Sequence, residues 1–464
     1  MMPRFNPEDL ASWSHGEWSS LPERPISGFS IDTRNLGNGD VFVAIKDQRD
    51  GHDFLSSAKS EGATGAMVSR VNSELGFPQL LTKDTLSAFH MIAKMHRRNF
   101  SGSVVGITGS CGKTSTKEML SVLLGKERTV STKGNLNNHL GVPLSLLSID
   151  LDSDDFAVIE AGINQTGEMS VLADMINPDF GIITNIGSSH LEGLFSEEIV
   201  AQEKSEIFRS VENLKMVFFP EHCLEFEEFK EFHHSSSDCS MVLVEGRPSG
   251  KLEKNKSYFE FRTETNTTGN SSSLRLERDG FPVLNLKTCL MSKGMGSNLA
   301  LALLAAMELG ITEKDFFERL PQYAPSTMRG KVLSGRGRAY YVDCYNANPT
   351  SMRDSLSFFS ESQNGCPKLY VIGGMEELGE SEIQLHQSVG QSISLKSKDL
   401  VILIGEKAGW MSGGILKNGA STEQVVLLQN KEDARSIIED FDGSVLFKGS
   451  RSSRLESLVP EWAV

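Results

Sequence analysis

The 464-residue chain has no long apolar run. The longest, Leu299 to Met307, is about nine residues, against the roughly 20 that a membrane-spanning helix needs. The opening MMPRFNPEDL carries no apolar core of the kind a signal peptide requires. Neither membrane insertion nor export is expected, and the cytoplasm is the expected location. Paired cysteines are also lacking. Cys111, Cys223, Cys239, Cys289, Cys344 and Cys366 are scattered, with no C-x-x-C pair and no zinc-type spacing, so a disulfide framework and a zinc site are both excluded. Asn164-Gln165-Thr166 and Asn266-Thr267-Thr268 match the glycosylation pattern but carry no weight without export. Positive charge is short too: 46 Lys and Arg against 61 Asp and Glu leave a net −15. That balance excludes a sequence-independent grip on nucleic acid or an anionic membrane, while leaving room for local basic pockets that hold phosphates. What remains is 39% hydrophobic and 23% charged, too apolar for a disordered chain, and long enough for about three domains.

Residues 1–100 contain short strand-like runs such as Asp40-Val41-Phe42-Val43-Ala44-Ile45, then a helical pattern from Leu86 to Arg98, which reads as a small α/β unit. From Val104 the order becomes apolar strand, glycine-rich turn and amphipathic helix, Lys113 to Leu124, with Thr116, Met119, Leu120 and Leu123 on one face. Ala157-Val158-Ile159 and Gly181-Ile182-Ile183-Thr184 read as further parallel strands of a nucleotide-binding sheet. The acidic stretch Glu221 to Glu231, the serines at 235–237 and the polar stretch 264–273 read as solvated loops. An antiparallel hairpin is expected around Asp279-Gly280, followed by a helix from Asn298 to Leu309. Beyond Pro325, runs at Tyr340–Val342, Leu369–Ile372, Leu400–Ile404 and Val445–Phe447 predict a second open parallel sheet. No solenoid repeat is present. The expected architecture is therefore α/β in three parts: 1–100, 101–325 with an added antiparallel portion, and a Rossmann-like 326–464.

Gly109-Ser110-Cys111-Gly112-Lys113-Thr114 lies between a predicted strand and helix, where backbone N–H groups and a helix N-terminus cradle phosphate. Lys113 is placed to reach the β- and γ-phosphates and Thr114 to ligate Mg2+. The strict G-x-x-x-x-G-K-[ST] pattern is not met, because Ile107 stands five before Gly112. Cys111 reads as a small side chain and not a nucleophile. Glu160, at the end of a predicted strand, is a hard oxygen ligand suited to Mg2+, and His190 falls near the same sheet edge. By its residues alone, Lys204 in Gln202-Glu203-Lys204-Ser205-Glu206 reads as a solvated helix lysine.

These stretches together resemble the Mur ligase family, and within it the MurF type. The carriers are ITGSCGKTSTKEML (107–120), TKGNLNNHLGVPLSLL (132–147), AVIEAGINQTGEM (157–169), ITNIGSSHLEG (183–193), EKSEIF (203–208), DCYNANPTSM (343–352), GGMEELGE (373–380) and KGSRSSRLE (448–456). SIDTRNLGNGDVFVAI (30–45) and DGHDF (50–54) are similar to the family's uridine-nucleotide domain.

The resemblance implies an ATP-dependent ligase acting through an acyl phosphate, with UDP-MurNAc-tripeptide and D-alanyl-D-alanine as partners and two Mg2+ sites. Carried over position by position, it implies that Gly109, Ser110, Cys111, Gly112, Lys113, Thr114 and Ser115 hold ATP, with Asn298, Arg329, Asp343 and Asn346 around adenine, ribose and γ-phosphate. It implies Thr114, Glu160, His190 and Lys204 at the metals, with Lys204 carbamylated so that a cation becomes an oxygen ligand. Lys113, Lys204, His190 and Arg329 are the implied catalytic set. Ser30, Thr33 and Arg34 match the uridine-nucleotide side of the substrate site, Asn135 and Asn138 the substrate-binding loop that reaches both nucleotide and muramoyl substrate, and Lys448, Ser450 and Arg451 the dipeptide side. A monomer is the state that a hinged three-domain ligase permits.

The chain departs from the family pattern at Ser297, where a His is common, at Gly374, where an Asp is usual, and at Cys344, where Ser is frequent. The rival readings are a MurE-type synthetase, against which YNANP and the lack of a D-N-P-R stretch speak, a folate-polyglutamate ligase, and a catalytically silent ATP-binding scaffold of wall synthesis.

Overall fold

A computed structural model of the chain describes residues 4–246, 257–266, 271–335, 337–362 and 365–460. Thr267 and Thr268 of the second glycosylation-like triplet, part of the polar stretch 264–273 and the first residues of the chain lie outside them. Three sheets follow one another along the sequence. The first has five strands in the order Glu17–Trp18, Gln79–Leu81, Gly65–Val68, Asp40–Val43, Gly28–Ser30, parallel but for the first. Helix Thr85–Arg98, capped by the Asp84 carboxylate on the Ser87 N–H, joins it to the second sheet. That helix buries Phe89, Ile92 and Ala93 in an apolar cluster continuous with Val142, Leu146 and Leu172 of the following unit. Polar ties reinforce the junction: Arg97 donates to the carbonyls of Ile176 and Asn177 and to Asp179 at 2.9 Å, with both charged side chains largely buried.

The second sheet has nine strands. Seven run parallel, from Thr129–Ser131 at one edge through Phe156–Glu160, Ser103–Thr108, Phe180–Ile183, Met216–Pro220 and Ser240–Glu245 to Ser257–Asn266; Ser271–Arg278 and Phe281–Cys289 then add antiparallel. The predicted hairpin turns at Asp279 and Gly280, both at positive φ (53° and 79°), as a two-residue turn matched to strand twist demands. Helix Lys113–Leu124 buries Thr116, Met119, Leu120 and Leu123, the predicted face. Strand register fixes which groups share an edge: Ile107 pairs with Glu160 and Thr108 with Ile183, so the 109–112 loop, Glu160 and Thr184-Asn185 all leave the sheet together.

The third sheet has six strands in the order Lys331–Gly335, Arg338–Asp343, Ser444–Lys448, Lys368–Gly373, Leu400–Ile404, Val425–Leu428, parallel except for the first. The first and last of these are edge strands that the apolar-run reading missed, because Lys331–Gly335 and Val425–Leu428 are only half-buried.

Three local expectations are corrected. The acidic stretch is not a loop: Glu227–Ser235 is a helix that buries Phe229 against Phe208 and Phe219, so two apolar anchors outweigh the surface charge. The polar stretch contributes to strands at 264–266 and at 271–273, which pair with each other. The helix predicted from Asn298 begins at Lys293, since Ser292 caps it through the Met295 N–H, and Gly294 and Gly296 sit inside its first turns. Arg97→Ala would leave Asp179 only the Val104 N–H and Lys215 and would free the Ile176 and Asn177 carbonyls; it is expected to cost about 1–3 kcal/mol, read as a lowered urea midpoint in far-UV circular dichroism.

Candidate functional site

The phosphate loop is shaped by its neighbours before any ligand is considered. Gly112 lies at φ 81°, a conformation that a side chain would strain, and a Cβ there would come within 2.6 Å of the Asn298 amide. Ile107, which breaks the strict motif, is wholly buried inside the strand, and the loop instead opens at Gly109, φ 145°, against Thr184. Asn185 holds the loop twice: its side-chain oxygen accepts from the Cys111 N–H at 2.8 Å and its carbonyl from the Ser110 N–H at 3.0 Å. Asn348, from the C-terminal unit, donates to the Ser110 carbonyl at 3.1 Å. Burial pushes the Cys111 thiol up to about 11, so it stays protonated at neutral pH and is no nucleophile.

A cleft of about 1240 Å³ runs from this loop to the C-terminal unit. Ser110, Cys111, Gly112, Lys113, Thr114 and Ser115 line it, together with Asn135, Asn138, Glu160, His190, Asn298, Arg329, Asp343 and Asn346. Residues that the sequence scattered over some 240 positions thus meet around one cleft. Gly109, where the loop opens, and Lys204 do not line it. Ser30, Thr33 and Arg34 belong to the first unit and do not line it either: the Ser30 hydroxyl donates to the Asp32 carbonyl, Thr33 opens a short turn, and exposed Arg34 pairs with Asp32 at 2.7 Å. The hydrogen bonds from the Arg34 guanidinium and N–H hold the Asp32 carboxyl down to about 2. Ser450 and Arg451 are also away from the cleft lining. Ser450 is buried and Arg451 pairs with Glu456 at 2.7 Å. Lys448 does line the cleft, but its ammonium is taken by Asp343 (2.9 Å) and the Asn346 carbonyl (2.9 Å).

Glu160 is the most constrained acid of the site. It is buried at its strand's end. One carboxylate oxygen accepts from the Thr114 hydroxyl at 3.1 Å and the Asn137 amide at 2.7 Å. The other has no hydrogen-bond partner and lies 3.7 Å from the Lys117 ammonium. Asn137 and Lys117 escaped the sequence reading, although both stand inside the motifs GNLNN and GKTSTK. Lys204 is no solvated lysine. It is fully buried on helix Glu197–Arg209, its Nζ has no hydrogen-bond partner, and burial together with the nearby Lys113 drives its amine well below the usual lysine range. Burial lowers Lys113 too, and its Nζ donates to the Gly109 carbonyl at 2.7 Å.

Among the described residues no group of three His, Cys, Asp or Glu side chains is arranged to hold a metal ion. Glu160, with one oxygen lacking a hydrogen-bond partner, and His190 both line the cleft. Arg329 stacks its guanidinium over the Tyr345 ring at 3.9 Å, a placement that presents planar charge to the cleft.

The chain matches the model of the Mur ligase middle domain over residues 107–306 and that of the Mur ligase, glutamate ligase domain over 328–451. It is 30% identical over 453 residues, 94% of this chain and 93% of the relative, to the UDP-N-acetylmuramoyl-tripeptide--D-alanyl-D-alanine ligase of Escherichia coli (strain K12). The chain belongs to the Mur ligase family. A crystal structure of MurF from Acinetobacter baumannii superposes with a TM-score of 0.84 at 26% identity, covering 98% of this chain and 97% of that one. The MurF ligase of Thermotoga maritima in complex with ADP superposes at 0.76 with 27% identity, over 93% and 96%. The alternating strands and helices, the antiparallel addition and the Rossmann-like third sheet are accordingly those of a MurF-type Mur ligase.

Of the departures from the Mur ligase pattern, Ser297 lines the cleft, whereas Gly374 is explained by packing: a Cβ there would lie 2.8 Å from that of Lys407. Lys407 in turn is held by Glu376 (2.7 Å) and Glu382 (3.1 Å). Asp354, on helix Pro349–Ser362, accepts from the Ser292 hydroxyl (2.5 Å) and the Gly294 N–H (2.9 Å), so a carboxylate of the C-terminal unit caps a helix of the central one. Burial raises its carboxyl above the ordinary range. The folded state therefore binds this proton more tightly than the unfolded chain, and stability falls as pH rises from the unfolded value through the raised one. Asp354→Asn keeps the cap and loses the charge. Its melting temperature relative to wild type should be higher at about pH 8 than at about pH 5, and an unchanged difference would show that the carboxyl does not titrate in that window.

Proposed function

We propose that the chain is an ATP-dependent ligase that joins D-alanyl-D-alanine to UDP-MurNAc-tripeptide, giving the UDP-MurNAc-pentapeptide of peptidoglycan synthesis, ADP and phosphate. The observation that carries this is the cleft itself, where the phosphate loop, Glu160, His190 and the GNLNN asparagines of the central unit face Arg329, Asp343 and Asn346 of the C-terminal unit. Relatives that cover nearly the whole chain carry that activity in their names.

In this reading the units near 1–100, 101–325 and 326–464 take the uridine nucleotide, ATP and the incoming dipeptide, with Ser30, Thr33 and Arg34 on the first and Ser450 and Arg451 near the last. The tripeptide carboxylate attacks the γ-phosphate, forming an acyl phosphate and releasing ADP. The dipeptide amine then attacks the acyl carbon, and collapse of the tetrahedral intermediate expels phosphate and leaves the amide. A carboxylate must approach a polyanion in the first step, and positive charge must neutralise both. Lys113 at the loop and Arg329 over Tyr345 provide it from the protein, while the loop N–H groups orient the phosphates. Thr114, Glu160, His190 and Lys204 would hold Mg2+, which supplies Lewis-acid charge to the phosphoryl oxygens when bound.

Carbamylation of Lys204 supports that donor set on physical grounds. A buried, unpartnered amine biased toward its neutral form is the species that captures CO₂, and the resulting carbamate gives the oxygen donor that Glu160 and His190 leave missing. The cytoplasm is the compartment where ATP and UDP-linked precursors are met, and no helix among the described residues is long and apolar enough to cross a membrane.

Phosphate release is expected to require ATP, Mg2+, UDP-MurNAc-tripeptide and D-alanyl-D-alanine together. Turnover with single amino acids in place of the dipeptide would sink the assignment, and ATP binding without turnover on any amine would leave a scaffold. Lys204→Ala is expected to lose about 10²–10³-fold in rate and to regain part of it with short-chain carboxylic acids; a wild-type rate would refute the carbamate.

A further inference from the structure

Glu377, in the MEELG run of the C-terminal unit, takes no part in the ligase chemistry, yet its carboxylate crosses the cleft edge to His190 and accepts from Nδ1 of the ring. An ionised carboxylate can only accept, so the proton of this bond belongs to Nδ1, and Nε2 is left with its lone pair. The contact is built into the main chain as well. His190 and Glu377 both sit in the left-handed region, φ 54° and 60°, where a residue other than glycine costs about 1–3 kcal/mol and persists only if its surroundings enforce it. The enforcement is visible: the Glu192 N–H donates to the Glu377 carbonyl at 3.3 Å, and Gly379, at φ 62°, lets the chain pass where a Cβ would lie 3.2 Å from the Leu191 carbonyl oxygen. Two strained segments, 190–192 and 377–379, are thus held against each other across the interface between central and C-terminal units.

We propose that Glu377 is a positioning residue for the cation site: docked from the C-terminal unit, it holds His190 in the Nδ1-protonated tautomer and turns Nε2 into the ring's donor. A histidine with a carboxylate on one nitrogen and a cation on the other is the usual arrangement at metal centres, and loss of the carboxylate there weakens metal binding about 10–100-fold. Here the carboxylate comes from a different unit than the other donors. Completion of the cation site is thereby tied to docking of the C-terminal unit, and a charge-neutralising centre is assembled only once that unit covers the cleft. The proposal rests on His190 being a cation donor.

The test uses the full-length protein with ADP, titrated with Mn2+ and followed by electron paramagnetic resonance, in wild type, Glu377→Ala, Glu377→Gln and His190→Gln. Glu377→Ala is expected to weaken, about 10–100-fold, the Mn2+ site that His190→Gln removes, with ADP affinity and circular dichroism unchanged; the isosteric Glu377→Gln should fall between. Nitrogen-15 spectra of the imidazoles should show His190 protonated at Nδ1 in wild type and shifted toward the Nε2-protonated form in Glu377→Ala, a change that a latch between units would not produce. Unchanged Mn2+ affinity and tautomer in Glu377→Ala, with His190→Gln still impaired, overturns the positioning role alone. Unchanged Mn2+ binding in His190→Gln overturns the donor reading of His190 and this proposal with it.

Discussion

Two lysines stand near one another at the phosphate loop, Lys113 lining the cleft and Lys204 fully buried, and much of the site depends on how their charge is managed. Lys113 adds to burial in depressing the protonated form of Lys204, while burial and, more weakly, Arg329 do so at Lys113, since like charges away from water repel strongly. Lys113 finds the Gly109 carbonyl, Lys117 finds the Thr132 carbonyl and lies near Glu160, and Lys204 finds no hydrogen-bond partner at all. A site of this kind suits anionic ligands. It also explains how a chain with net charge −15 can take polyphosphate substrates: positive charge is concentrated where burial makes each unit of it count.

Reach between units is the second constraint. The C-terminal unit sends Asn348 to the phosphate loop, Asp354 to the start of helix Lys293–Glu308 and Glu377 to His190. Each of these bonds satisfies or orients a group of the central unit, so the contact between units also shapes the cleft. Asp343, Lys448 and Asn346 form a separate lattice within the C-terminal unit, held with Ser355, that fixes the cleft's far wall.

Much of this was legible in the chain. Strand, glycine turn and helix around 103–124 follow from apolar periodicity and a glycine that must adopt positive φ, and the Asp279-Gly280 hairpin follows from turn chemistry; both are local, and local rules read them correctly. The loop residues up to Thr114 and Glu160 were readable from their setting between strand and helix or at a strand end, whereas Asn135, Asn138, Asn298, Asp343 and Asn346 could be named because family likeness supplied what spacing could not. The misreadings also have causes. Helix Glu227–Ser235 was hidden by its acidic surface, since burial of Phe229 among Phe208 and Phe219 is a tertiary fact. The strands Lys331–Gly335 and Val425–Leu428 were hidden by lying at sheet edges, where alternation is weak.

The sequence by itself determined the order of the elements, the phosphate loop and the family to which the chain belongs, because each depends on residues close together in the chain. Only the tertiary structure decided that Lys204 is buried without a hydrogen-bond partner, that Lys448 is spent on Asp343, that Gly374 yields to Lys407 and that Glu377 meets His190. Burial, pairing and proton position are set by groups brought together from distant segments, and their energies depend on neighbours that no stretch of sequence contains.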